Sequence, residues 1–262
     1  MTPRQILAPR VAASVARAPR AAALALAAGL LSALLLPAPA RADGAVPCPG
    51  GGFAVAGADT DTDTDTDTDT GTDTVARICT AAAAAERFLG ACHLPRLRPV
   101  TFEVRAQIEG PADHCAGLYA CGSDRILVIP PGGVGEVMPE DSAFAPLAPD
   151  VYYDSLVVHE LAHALMDQAA CNRPRCDADR EYVAYALQIA SLPPRDRAAV
   201  AAYRAFDGPV DRALLNDLLL WLKPDIFALA AWAHFDAPGH GCAFVERLVT
   251  GETTLALPIG EP

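Results

Sequence analysis

The sequence predicts an α+β domain, and three observations carry that prediction. Two stretches with strand character come early, at 99–108 and 125–129. A series of helix-period segments follows with no strand between them. One of those helices, 151–170, is apolar nearly all the way round, as a central buried helix is. Strands grouped before helices argue for α+β, because a doubly wound sheet would alternate the two.

Residues 1–42 read as a cleaved export signal. Arg4, Arg10, Arg17 and Arg20 form a basic front without acids, Ala21 to Leu36 is apolar, and Ala40-Arg41-Ala42 has the small-x-small pattern of a signal-peptidase site. The apolar core is shorter than the roughly 20 residues a spanning helix needs, so no stable membrane anchor is expected after cleavage. Export places the chain in a secreted or periplasmic setting. All eight cysteines lie beyond the signal, at 48, 79, 92, 115, 121, 171, 176 and 242, an even count that reads as a disulfide framework.

Residues 43–74 are expected to be a disordered spacer. From 59 to 74 they repeat Asp-Thr, broken once by Gly71, with no apolar side chain to bury. The domain itself is expected over 75–262. The full chain carries a net charge of −12, and losing the arginine-rich signal makes it more acidic. That balance speaks against nucleic acid as a partner.

Within the domain, Val75 to Cys92 is alanine-rich and predicts a helix ended by Gly90 and Pro95. In 99–108, Val100, Phe102, Val104, Ala106 and Ile108 alternate with polar residues, as in a half-buried strand. Cys115 to Cys121 encloses a short turn that a disulfide would staple, Arg125 to Ile129 is a second strand halted by Pro130-Pro131, and 131–149 reads as a loop. Helices are then predicted at 151–170, capped by Asp150, at 178–192, capped by Asp177, and near 195–206, 210–222, 225–236 and 242–250. Cys171 and Cys176 flank the connection between the first two, where a bridge would fix their angle. Cys79 and Cys92 on one helix would stand about 20 Å apart, beyond disulfide reach, so each is expected to pair with Cys48 or Cys242.

The chemistry concentrates in His159-Glu160-Leu161-Ala162-His163. Histidines four apart on a helix lie one turn apart along it and about 40° apart around it, so both imidazoles reach one ion. Glu160 points about 100° away from His159, near enough to act on a water without itself being a ligand. Three polar side chains in so apolar a helix are costly unless they share a partner, and a metal ion is the simplest one.

On these residues the chain resembles the zincin metallopeptidases. Met166-Asp167-Gln168-Ala169 departs from the metzincin continuation, whereas Glu181, 18 residues past His163 on the next helix, fits the gluzincin one. The chain as a whole is similar to bacterial secreted HExxH proteins. The resemblance implies a small mixed sheet followed by a buried active-site helix and a mostly helical C-terminal half. It implies Zn2+ held by His159, His163 and Glu181, with Glu160 as general base and a peptide or protein as substrate. Rival third ligands are His234, His240, Glu246 and Asp167. Tyr185 stands where many gluzincins carry an Asp behind a histidine ligand, so Asp154 and Asp167 are the carboxylates expected to orient one instead. Of the oxyanion donors available, Tyr182, Tyr185, His234 and His240, the two histidines rank first. The strand 125–129 is expected to be the sheet edge that receives an extended peptide.

Two other classes remain open to the sequence. One is a closed, inert zinc module with His234 or His240 as fourth ligand. The other is an interaction protein whose working part is the acidic repeat.

Overall fold

The computed structural model describes residues 44–57, 68–109, 116–169 and 177–256. Their architecture is α+β, with a five-stranded mixed sheet and a larger helical part. The strands are β1 (Val46–Pro47), β2 (Phe53–Ala56), β3 (Val100–Val104), β4 (Gly117–Ala120) and β5 (Arg125–Val128), in the order β1-β2-β3-β5-β4. β2, β3 and β5 run parallel, while β1 and β4 pair antiparallel on the two edges.

Two expectations about the N-terminal part need correction. The fold begins well before Val75: β1 and β2 belong to the sheet, Phe53 and Val55 are buried in the core, and Cys48 is bonded to Cys79. The cause is the short apolar alternation Phe53-Ala-Val-Ala, which the neighbouring acidic repeat overshadows in a reading by composition. The helix α1 (Thr68–Ala91) also starts inside the Asp-Thr repeat. Asp and Thr are weak helix formers, but the alanine-rich body that follows nucleates the helix. The rest of the repeat and the signal region lie outside the described residues.

β3 and β5 stand as expected, shortened to Val100–Val104 and Arg125–Val128. Val100, Phe102, Ile126 and Val128 are fully buried, and α1 and α3 (Pro149–Gln168) pack against the sheet. β4 is the unexpected element. The stretch enclosed by Cys115 and Cys121 is a strand, not only a turn, and it takes the edge position expected for 125–129, leaving β5 interior between β3 and β4. Gly-Leu-Tyr-Ala is too short for periodicity to reveal. It exists because it can pair with β5, as the register Leu118 to Leu127 shows.

The loop 131–149 contains a 3₁₀ turn at Pro131–Gly133 and the single-turn α2 (Val134–Val137). After α3 come α4 (Asp177–Ser191), α5 (Pro194–Ala201), α6 (Asp217–Leu222), α7 (Pro224–Asp236) and α8 (Gly241–Val249). The segment expected as one helix at 210–222 is split into a 3₁₀ turn (Arg212–Leu214) and α6, because Asn216 caps a fresh helix through its side-chain oxygen on the Leu219 N–H. Asp150 does not cap α3. Pro149 occupies the first position, and Asp150, in the first turn, faces Arg77 of α1. α4 begins at Asp177, and the Ala178 N–H is capped from elsewhere in the fold, by Asp217 of α6.

Cys79 and Cys92 pair as expected with the distant cysteines, in the bridges Cys48–Cys79 and Cys92–Cys242. The second closes α1 onto α8 across 150 residues of sequence. The Cys115–Cys121 staple is a correction: Cys121 is a free, exposed thiol, with Arg180 Nη1 donating to its sulfur at 2.7 Å, and Cys115 lies outside the described residues. The expected Cys171–Cys176 bridge also lies outside them. Among the described residues, no helix is long and apolar enough to cross a membrane.

Candidate metal centre

α3 is buried over most of its length, including His159 and Glu160, and α4 packs along it. The two helices bring three donors together. His159 Nε2 and His163 Nε2 are 3.1 Å apart, and the Glu181 carboxylate lies 3.6 Å from the first and 3.4 Å from the second. A tetrahedral site with metal–ligand bonds of about 2.0–2.1 Å has edges of about 3.3 Å, so the spacing suits a small cation. Among the described residues this is the one His/Cys/Asp/Glu cluster whose donor atoms converge closely enough to hold a metal ion.

The outer contacts fix which nitrogen faces the centre. His159 Nδ1 lies 3.0 Å from Gln188 Oε1. The Gln188 amide is oriented in turn: its Nε2 donates to Ser155 Oγ at 3.2 Å, and that hydroxyl donates to the Tyr152 carbonyl at 2.7 Å. Gln188 therefore presents an oxygen, Nδ1 of His159 carries the proton, and Nε2 turns a lone pair toward the centre. Glu181, Tyr185 and Gln188 are spaced i, i+4, i+7, so one face of α4 supplies ligand, ring contact and orienting amide. The Tyr185 ring packs edge-on against His159 at 4.6 Å between centroids.

Neither carboxylate expected to orient a histidine does so. Asp154 pairs with Arg77 on the far side of α3. Asp167 accepts from Tyr119 Oη at 2.8 Å and Arg180 Nη2 at 2.7 Å, which ties α3 to β4 and α4 and leaves it no ligand role. Glu246 lies nearest a different histidine, His93, at 3.9 Å. His234 and His240 are also elsewhere. Their rings stack at 3.8 Å, His234 Nδ1 meets the Tyr182 hydroxyl at 2.9 Å, and Phe244 packs on both. None of these three, Tyr182, His234 or His240, lines the cleft; Tyr185 does.

The cleft, of about 700 Å³, runs from the three donors to β4 on one side and α6 on the other. Glu160 stands in it against β4. The Tyr119 N–H bonds to its carboxylate, and a Cβ at Gly117 would lie 2.8 Å from its Cγ and Oε1. Only a glycine lets that side chain in.

Burial dominates the electrostatics. It raises the Glu160 carboxyl to about 8, helped by the charge of Glu181 and opposed by the Tyr119 N–H. It raises Glu181 to about 7, helped by Asp177 and opposed by Arg180. Burial lowers His159 to about 4 against the Gln188 hydrogen bond, and it holds His163 well below its ordinary value together with His159 and Arg180. Both imidazoles are thus neutral and ready to ligate, and the Glu181 carboxyl would lose its proton on binding a cation.

Fold and site together define an α+β protein with a two-helix His-His-Glu cluster able to hold a metal ion at the floor of an open cleft. The chain belongs to the family of unknown function DUF6639, which it matches over residues 67–258. No match is found among curated proteins or among solved structures.

Proposed function

We propose that this chain is an exported zinc-dependent hydrolase of the zincin type, acting on peptide bonds. The observation that carries the reading is the convergence of His159, His163 and Glu181 beside Glu160 in an open cleft. A structural zinc site takes four protein ligands, whereas a catalytic one takes three and keeps a position for water. Three donors meeting at a cleft support the catalytic reading over the closed module.

Zinc bound there would supply Lewis acidity and a water acidified toward neutrality. Glu160 would take a proton from the attacking water and return it to the leaving nitrogen, a role for which a carboxyl with a raised pKa is suited. Tyr185 is the donor for the developing oxyanion. Its hydroxyl is held well above its ordinary pKa by burial and by the charge of Glu181, so it keeps its proton throughout. Two disulfides support an oxidising, exported setting.

The test is a zinc determination together with a peptide-library digestion, with and without chelator. Glu160→Gln is expected to retain zinc and lose cleavage by at least two orders of magnitude. Zinc retained with no cleavage by the unsubstituted chain would overturn the peptidase reading.

A further inference from the structure

We propose that the mouth of the cleft along α6 is a recognition subsite for a bulky apolar side chain, of leucine or phenylalanine size, carried by an extended peptide. This rests on the hydrolase reading above and names its substrate class. Among the described residues seven large hydrophobic side chains are exposed, and four of them, Leu214, Leu218, Trp221 and Leu222, fall in the single stretch 214–222. Trp221 is 70% exposed and Leu222 66%.

Folding has already used the other side of this segment. Leu215 is fully buried and Leu220 nearly so. Leu218, Trp221 and Leu222, spaced i, i+3 and i+4, form a separate apolar ridge on one helix face. A clustered apolar surface of this kind is a mark of binding, whereas singly scattered apolar residues are ordinary.

The ridge is held in register with the metal centre. Asn216 Oδ1 accepts from the Leu219 N–H at 3.1 Å and fixes the start of α6. Asp217 Oδ1 accepts from the Ala178 N–H at 3.0 Å, in the first turn of the helix that carries Glu181. Trp221 and Leu220 line the same cleft as Glu160, and Phe144, Tyr152 and Leu156 continue the apolar lining inward. Leu218 and Leu222 stand outside the cleft lining, so Trp221 is the point at which an apolar group docked on the ridge would reach into the cleft.

Charge narrows the occupant further. Asp177 and Asp225 also line the cleft, and Arg180, the only Lys or Arg among the described lining residues, is paired with Asp167. An acidic peptide or an anionic headgroup would be repelled, while a neutral or basic peptide with an apolar anchor would not.

The test uses the zinc-loaded full chain carrying Glu160→Gln, so that binding is read without turnover. Two blocked peptides are titrated, one of alanines and one with a single phenylalanine, following tryptophan emission and heat. The phenylalanine peptide is expected to bind at least tenfold more tightly. Trp221→Ala is expected to abolish that preference, and Leu218→Ser to reduce it several-fold, with zinc content and circular dichroism unchanged. Equal affinities, no binding of either peptide, or a preference that survives Trp221→Ala overturns the proposal. So does a dimer that Trp221→Ala dissociates, or binding to phosphatidylcholine vesicles that replaces the peptide preference. If the unsubstituted chain cleaves nothing while the preference holds, the hydrolase reading fails and the subsite stands.

Discussion

His159 Nδ1 and Gln188 Oε1 lie 3.0 Å apart, so a neutral amide orients the first histidine of the cluster. A carboxylate in that place would make the imidazole a stronger donor, whereas the amide fixes its direction and tautomer without adding a negative charge beside Glu160 and Glu181. Gln188→Leu is expected to weaken zinc affinity 10- to 100-fold, read by competition with a chromophoric chelator. Gln188→Glu, which keeps an acceptor, should recover most of it. Equal affinities for all three proteins would mean that Gln188 serves packing alone.

Gly117 sets where Glu160 can stand. A Cβ at that position would meet the carboxylate at 2.8 Å, on a strand whose backbone also donates to it. Gly117→Ala should leave zinc content unchanged and lower peptide hydrolysis at least tenfold, because the proposed general base would be pushed from its place and only small displacements are tolerated there. Retained activity would show that β4 gives way instead.

Much of this site is legible in the sequence, and the reasons differ from residue to residue. His159, Glu160 and His163 can be read because helix geometry converts their spacing into position, whereas Glu181 is reached only through the resemblance to gluzincins, which places a Glu on the next helix. Gln188 lies seven residues after Glu181 and so on the same face of α4, but a glutamine inside an apolar pattern looks like ordinary polarity. Gly117 and Tyr119 carry none, since β4 is four residues long and exists through its pairing with β5. For His234 and His240 residue type suggests a role that only tertiary position can grant. Stacked on each other against Phe244, they are bound into the packing of α7 and α8.

Tyr185 is the cleft hydroxyl that remains once those histidines are set aside. The proposed role as oxyanion donor predicts that Tyr185→Phe lowers kcat by one to three orders of magnitude with little change in KM, since the hydrogen bond strengthens only as charge develops. The ring contact with His159 is kept in phenylalanine, so zinc affinity should hold. A rise in KM at constant kcat would instead assign the hydroxyl to substrate binding.

The four ionisable groups of the centre make the metal-free protein respond to pH in a particular way. Glu160 and Glu181 have folded values of about 8 and 7, above their unfolded value, so the folded state holds protons that the unfolded state releases. Their contribution to stability is lost as pH rises through that range. His159 and His163 are shifted down, so they favour the folded state above the unfolded imidazole value and lose that contribution as pH falls. Between about pH 4.5 and 6.5 the two effects oppose and nearly cancel. From about 6.5 to 8 only the carboxyls remain, and stability falls by on the order of 1 kcal/mol per pH unit for each carboxyl still protonated. Thermal unfolding of the chelator-treated protein is expected to show a Tm decline over that interval, and Glu160→Gln should remove a large part of it. A cation bound by Glu181 would displace that carboxyl's proton, so the stabilisation on adding zinc is expected to grow over the same interval. A decline of equal slope in Glu160→Gln would locate the titrating groups elsewhere in the chain.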